Sequence, residues 1–339
     1  MIEPLVSVVI PVKNGASLIG ETIGSVLSQS YKNLEVIVVN DHSDDHTFAL
    51  VSEMSKHDGR LKLIDNQTEK RGAPVCRNIG HKESNGKYVI FLDADDLLSR
   101  NCLENRVNKI ENSPECDFFV FQCELFREVP GDIGLYWNYF SSENDLDRFI
   151  RVDTPWHTSG PIWKKSAITA IGGWDESVLA WQDWEFHIRA LIANLSYKKE
   201  AVVDFYYRKE VKNSISSKDG AIDRSLYFSE LYKSIYIYLM NGKKLTKKRK
   251  DYLFLRFFKL AQYSMASFNN INLTIQILKN ANQVKLINSF SVYFISYLLF
   301  LFTQKNYLSN KIGWYALKDY FLKSSYTSHL QNSSELFKE

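Results

Sequence analysis

The residues Phe91 to Asp96 read FLDADD, an apolar run that ends in three carboxylates within four positions. Like charges this close repel unless a cation joins them. Asp93, Asp95 and Asp96 therefore suit a divalent metal carrying a phosphorylated ligand, or else an exposed turn capping the helix expected near Asn101. Asp41 ends a second apolar run, VIVVND. A further carboxylate, Asp183, stands in the first turn of WQDWEFHIRAL, Trp181 to Leu191, where Trp184, Ile188 and Leu191 share one helical face. His157, beside Trp156, suits a metal ligand or a packed loop residue. Arg77 suits an anionic ligand, a helix cap or a pair with Glu83, and Lys70 and Arg71 suit a diphosphate or a solvated loop.

These residues need a scaffold that brings strand ends to one edge, and the chain before them supplies it. Val6 to Val12 is a β-branched run closed by Pro11 and Asn14-Gly15, with Leu18, Ile19, Ile23, Val26 and Leu27 following at helical spacing. The unit repeats: Leu34 to Val39 leads to a helix from about Asp44, Leu61 to Asp65 to one from about Pro74, and Tyr88 to Leu92 to one from about Asn101. Asp117 to Phe126 reads as a fifth strand. Alternating strands and helices imply right-handed crossovers and a doubly wound, mostly parallel α/β sheet. Parallel strands carry Asp41 and Asp93 to one carboxyl edge, where ligands of such sheets bind. VKNGAS after the first strand has one glycine, so neither the dinucleotide fingerprint nor a Walker loop is present. Carboxylates holding a metal then become the way to neutralise a diphosphate.

Beyond the fifth strand, Gly131 to Thr158 is turn-rich and aromatic. A short helix at Ser166 to Ile171 and a strand at Tyr197 to Arg208 follow. After Gly220 the pattern is helical, with polar breaks near Asn241-Gly242, Asn269-Asn270 and Ser309-Asn310. The net charge of +3 hides an asymmetry: from Ala221 onward 17 Lys and Arg face 6 Asp and Glu, leaving 25 against 33 before it, or +11 against −8. Such a tail suits an anionic surface and contains no nucleic-acid module. Phe290 to Thr303 is shorter than the roughly 20 residues of a spanning helix. Cys76, Cys102, Cys116 and Cys123 lack CxxC spacing, and with no leader read before the first strand they are expected as reduced core residues in the cytoplasm.

SVVIPVKN, VIVVNDHSDD, CRNIG, FLDADD, GGWDE and WQDWEFHIR, in this order from Val6 to Ser216, resemble glycosyltransferase family 2. The resemblance implies a GT-A fold and inverting transfer of a hexosyl or N-acetylhexosaminyl group from a nucleotide-sugar, expected to be a UDP-sugar. The acceptor would be a glycan or lipid-linked hydroxyl, as in cell-surface polysaccharide synthesis. It implies that Pro11, Asn14, Asp41, Arg77 and Asp93 meet the nucleotide-sugar, that Asp95 and Asp93 hold Mn²⁺ or Mg²⁺, and that Asp183 is the general base. Trp156, His157 and Trp181 are the acceptor-side candidates. Asn40, Lys13 and Gln182 depart from common family residues, and the first two leave the base preference open. Two other readings stay in view: a nucleotidyltransferase, which would carry a glycine- and arginine-rich phosphate loop after the first strand, and a non-catalytic glycan-binding scaffold. The expected organisation is a transferase domain over 1–218, with its nucleotide half at about 1–126 and its acceptor half at about 127–218, then a basic helical region over 219–339. That region either rests on the inner face of an anionic membrane or packs as a helical bundle that could also form a contact between like subunits, with Lys243 to Lys250 and Tyr252, Phe254, Phe257 and Phe258 as its basic and aromatic blocks.

Overall fold

A computed structural model describes residues 3–209 and 221–303. In chain order the first elements are β1 (Val6–Val12), α1 (Ile19–Leu27), β2 (Leu34–Asn40), α2 (Thr47–His57), β3 (Leu61–Asp65), α3 (Ala73–Glu83) and β4 (Tyr88–Phe91). Next come β5 (Leu97–Leu98), α4 (Cys102–Glu111), β6 (Phe118–Phe126), β7 (Leu135–Tyr136), α5 (Asp145–Ile150), β8 (Pro161–Lys164), α6 (Lys165–Ala170), α7 (Gln182–Ile192) and β9 (Tyr197–Arg208). Four helices end the described chain: α8 (Ala221–Asn241), α9 (Lys247–Phe268), α10 (Ile271–Gln283) and α11 (Ser289–Thr303).

The sheet runs β3-β2-β1-β4-β8-β6-β9-β5, with β7 on β6. Its β3-β2-β1-β4 half is parallel, as the repeating strand-helix pattern requires. Beyond β4 the sheet is mixed, because β8 inserts antiparallel to both β4 and β6. The expected fifth strand, β6, therefore does not neighbour β4. One sheet face buries Val6, Val8, Ile10 and Val12 against Ile19, Ile23 and Val26 of α1 and Val107 and Ile110 of α4. The opposite face takes α3 so closely that a Cβ at Gly80 would lie 2.2 Å from the Val9 side chain, which accounts for the glycine of CRNIG. Phe91 meets Trp174 and Phe186 on that face, and Trp174 stacks on Phe186 with centroids 4.2 Å apart. These rings fix the GGWDE turn and α7 against the strand that carries the carboxylates. All four cysteines are buried and unpaired.

The chain divides into two compact units, Met1–Asp145 with Thr154–Lys218, and Leu146–Asp153 with Asp219–Glu339. In the second unit, Thr246 accepts from the Arg249 N–H to start α9, and Asn270 accepts from Leu273 N at 3.0 Å to start α10. Asn269 ends α9 in a left-handed conformation, φ 48°, which asparagine tolerates. The Ser309-Asn310 break lies outside the described residues. Phe254, Phe257 and Phe258 of α9 are buried, so that aromatic block packs inside the helical unit and not on a surface. Arg249 is buried too, and both Arg249 and Lys248 pair with Asp147, at 2.7 and 2.9 Å. Among the described residues no helix is long and apolar enough to cross a membrane.

Burial works against the Asp147 charge, but the bonds and charges of Lys248 and Arg249 outweigh it and hold this carboxyl below the usual carboxylate range. A folded value below the unfolded one makes the pairing fully stabilising above the unfolded value of about 4. The stabilisation disappears as pH falls through the lower, folded value. Asp147→Asn is thus expected to flatten the acid limb of a melting-temperature-against-pH curve below about pH 4; an unchanged limb would show that the pairing does not contribute.

Candidate active site

The carboxyl ends of β1, β2 and β4 deliver the first group of residues. Asp41 follows β2, its N–H donating to the Val12 carbonyl at 2.7 Å. Its buried carboxylate accepts from Asn66 Nδ2 at 3.1 Å and from Gly72 N at 2.8 Å, so it organises the connection between β3 and α3. Pro11 is buried in β1 beyond the last residue paired with β4, where a missing N–H costs that ladder nothing. Asn14, in a left-handed turn with φ 52°, donates its N–H to Ser43 Oγ at 2.9 Å and accepts from Asp44 N at 3.0 Å. The β1 and β2 end loops are tied together by these bonds.

Arg77 is buried in α3 and does not pair with Glu83, which reaches Lys62 instead. Its guanidinium donates to Asp93 Oδ1 at 2.6 Å and to Gln182 Oε1 at 3.1 Å, and lies 4.4 Å from the Trp174 ring centroid. One side chain thereby links β4, the GGWDE turn and the start of α7. Lys70 forms an ion pair with Glu176 at 2.6 Å.

Asp93 faces His157, with Oδ2 and Nε2 3.6 Å apart, while His157 Nδ1 lies 3.6 Å from Asp96 Oδ2. One ligand atom from each of Asp93, Asp96 and His157 lies within 4.8 Å of the others. Asp95 is outside this group, although Asp93 and Asp95 were the expected metal pair. Its carbonyl accepts from Arg208 Nε at 3.1 Å, and Arg208 N donates to Asp96 Oδ1 at 3.3 Å. Asp96 Oδ2 also accepts from Ser159 Oγ at 2.9 Å. Burial opposes the Asp93 charge, but Arg77 and His157 outweigh it and keep its carboxyl low. Burial and then the Asp93 charge push Asp95 up to about 6, and burial with Asp95 and Asp93 pushes Asp96 well above the usual range. A divalent cation beside these carboxylates would favour their charged forms. Two carboxylates and an imidazole are a donor set that can hold a divalent cation.

Asp183 lies half-buried in the first turn of α7. Burial raises its pKa, against the pull of His157, of the Trp184 N–H and of Arg77. Trp181 precedes the helix with φ 58°, in T-shaped contact with Trp184, which is a core residue. Trp156, expected on the acceptor side, is buried among Phe118, Tyr197 and His187. His157 is also buried, its ring between Asp93, Asp96, Trp137 and Tyr207. Asp96 belongs to the acidic run that the sequence marks, whereas no spacing in the sequence marks Arg208 or Ser159.

Residues 7–168 match the family model described as Glycosyl transferase family 2. An uncharacterized glycosyltransferase of Haemophilus influenzae is 40% identical over 168 residues, which is 48% of this chain and 52% of that protein. The GalNAc(5)-diNAcBac-PP-undecaprenol beta-1,3-glucosyltransferase of Campylobacter jejuni is 37% identical over 106 residues, 31% of this chain and 34% of that one. This chain spans about half the length of the first curated relatives it matches. Among solved structures, S. aureus TarS 1–349 in complex with UDP-GlcNAc superposes with a TM-score of 0.70 at 19% identity, covering 90% of this chain and 92% of that one. The likeness establishes a GT-A type fold.

Proposed function

We propose, from the match of residues 7–168 to the model of glycosyl transferase family 2, that the protein moves a sugar from a UDP-sugar to a hydroxyl of a glycan or lipid-linked acceptor, with inversion. The single observation that carries this reading is the meeting of Asp93, Asp96 and His157 at the carboxyl edge of the parallel strands, with Asp183 within electrostatic reach of His157 and Asp93. Asp41, Asn14 and Pro11 line the strand ends on the nucleotide side, and the curated and structural relatives that carry UDP-GlcNAc or a lipid-linked glycan in their names agree with such a pair of substrates.

In this proposal Asp183 accepts the acceptor hydroxyl's proton as its oxygen forms a bond to the anomeric carbon and the bond from that carbon to the diphosphate breaks. One attack from the opposite face inverts the centre, so one base suffices. Arg77 holds Asp93 and Gln182 in register and thereby fixes Asp183 relative to the donor side. A divalent ion at Asp93, shared with Asp95 or with Asp96 and His157, would act as a Lewis acid on the leaving diphosphate. The basic second unit fits a peripheral position on the inner face of an anionic membrane.

UDP with Mn²⁺ is expected to stabilise the protein by about 2.7 kcal/mol at a hundredfold excess over its dissociation constant. Thermal melting with and without a chelator measures the metal-dependent part. Asp95→Asn and His157→Gln then say which flank of Asp93 holds the ion, since the variant that loses the chelator-sensitive increment marks it. Equal stabilisation with and without chelator in the unaltered protein would remove the metal from the proposal.

A further inference from the structure

The helical unit exposes an aromatic stripe that its packing does not use. Val292, Ile295, Ser296 and Leu299 of α11 are buried toward α9 and α10, whereas Phe290, Tyr293, Phe294, Tyr297 and Leu301 lie on the other face at spacings of three and four residues. Phe290 is 75% exposed, Tyr297 58% and Tyr293 57%. Phe290 and Phe294 stack with centroids 5.7 Å apart, presenting one continuous apolar ridge. Isolated exposed apolar residues need no explanation, but a contiguous ridge marks a contact surface.

At the N-terminal end of the same helix lies an open groove of about 700 Å³, lined among others by Lys247, Lys250, Lys285, Asn288 and Ser291, with the one carboxylate Asp251 against these three lysines. Asn288 Oδ1 caps the helix by accepting from Ser291 N at 2.8 Å. Lys247, Lys250 and Lys285 are exposed, in contrast to Lys248 and Arg249, which Asp147 holds. Cationic side chains and a helix N-terminus thus converge where the aromatic ridge begins, and both favour anionic oxygens.

We propose that this ridge and groove form a docking surface for a membrane leaflet of anionic phosphate-headgroup lipids. The rings of Phe290, Tyr293, Phe294 and Tyr297 settle at headgroup depth, as aromatic side chains do at interfaces, and the three lysines meet headgroup phosphates. Charge complementarity selects this occupant: the residues from Ala221 onward carry 17 basic against 6 acidic side chains, and no described helix is long and apolar enough to span the bilayer instead. A surface of this kind lies on the leaflet and is governed by buried apolar area together with electrostatic attraction. It rests on the reading of a lipid-linked acceptor, for which it would hold the enzyme at the substrate's own interface.

Sedimentation of the full chain with vesicles of phosphatidylglycerol and phosphatidylcholine, compared with phosphatidylcholine alone, tests it. Binding is expected only to the anionic vesicles and is expected to weaken with salt. Each lysine near the surface strengthens binding about fivefold, so the combined Lys247→Glu, Lys250→Glu and Lys285→Glu variant should lose about 100-fold or more. Tyr293→Ser with Tyr297→Ser should lose it at unchanged charge, and Lys56→Glu, on α2 of the first unit and outside the groove lining, should not. The surface is overturned by absence of binding at low salt, by equal binding to neutral vesicles, or by variants that bind like the unaltered chain. It is also overturned by concentration-dependent self-association that the tyrosine substitutions abolish, which would assign the ridge to a second copy. Stabilisation by UDP and Mn²⁺, measured on the same samples, keeps the two readings apart: a protein that responds to nucleotide but ignores vesicles loses only this surface.

Discussion

Asp183→Asn is expected to lower turnover by about 10²- to 10⁴-fold while stabilisation by UDP and Mn²⁺ stays at its unaltered level. The amide preserves the shape of the first turn of α7 but cannot accept the proton that the attacking hydroxyl must lose. Asp183 makes no part of the Asp93, Asp96 and His157 group, so donor binding should survive. Its helix-dipole contribution, about 0.3 to 1 kcal/mol, is far too small to mimic such a loss in rate. The pH profile supplies an independent readout. A base works only when deprotonated, and burial raises this carboxyl, so activity should fall on the acid side at a pH above the ordinary carboxylate value of about 4. Near-normal turnover in the variant would remove Asp183 from the chemistry, and simultaneous loss of UDP binding would make it a structural residue.

The route from sequence to this site was readable where local pattern and tertiary structure agree. Val6–Val12, Leu34–Asn40 and Tyr88–Phe91 are continuous apolar runs closed by polar residues, a pattern that buried parallel strands produce. Their order alone places Asp41 and Asp93 on one edge. Pro161–Lys164 gave no such signal, because four residues beginning with proline are too few for alternation to appear, and its partners Tyr88 and Phe118 lie far away in the chain. The position of His157 depends on that strand, since the segment from Trp156 to Ser159 enters it. A lone histidine in an aromatic loop therefore could not be joined to Asp93 and Asp96 beforehand. The choice between Asp95 and Asp96 depends on the turn after β4, where Arg208, over a hundred positions away, holds both residues. Trp156 and the α9 phenylalanines show the converse limit: aromatic type is equally at home on a sugar, at a membrane surface and in a core, and only burial distinguishes them.

The largest expected stability effect lies behind the site. Arg106 of α4 and Asp204 of β9 are fully buried and pair through two bonds of 2.7 Å, from Nε to Oδ2 and from Nη2 to Oδ1. The third bond, from Arg106 Nη1 to the Ser159 carbonyl at 2.9 Å, ends at the residue whose hydroxyl holds Asp96. Asp204→Ala leaves the guanidinium buried and unpaired, and is expected to cost about 3 to 5 kcal/mol in chemical denaturation. Arg106→Met combined with Asp204→Leu removes both charges at similar volume and should recover most of that loss, because the attraction within a buried pair scarcely exceeds the cost of desolvating it. If the pair served stability alone, the repaired protein would match the unaltered one in every respect. The Ser159 bond argues otherwise: without it Asp96 and His157 are less firmly held, and outer-shell losses of this kind typically weaken metal binding about 10- to 100-fold. The double variant should therefore melt near the original temperature yet require more Mn²⁺ for half-maximal stabilisation by UDP. An unshifted Mn²⁺ requirement would confine Arg106 and Asp204 to the core.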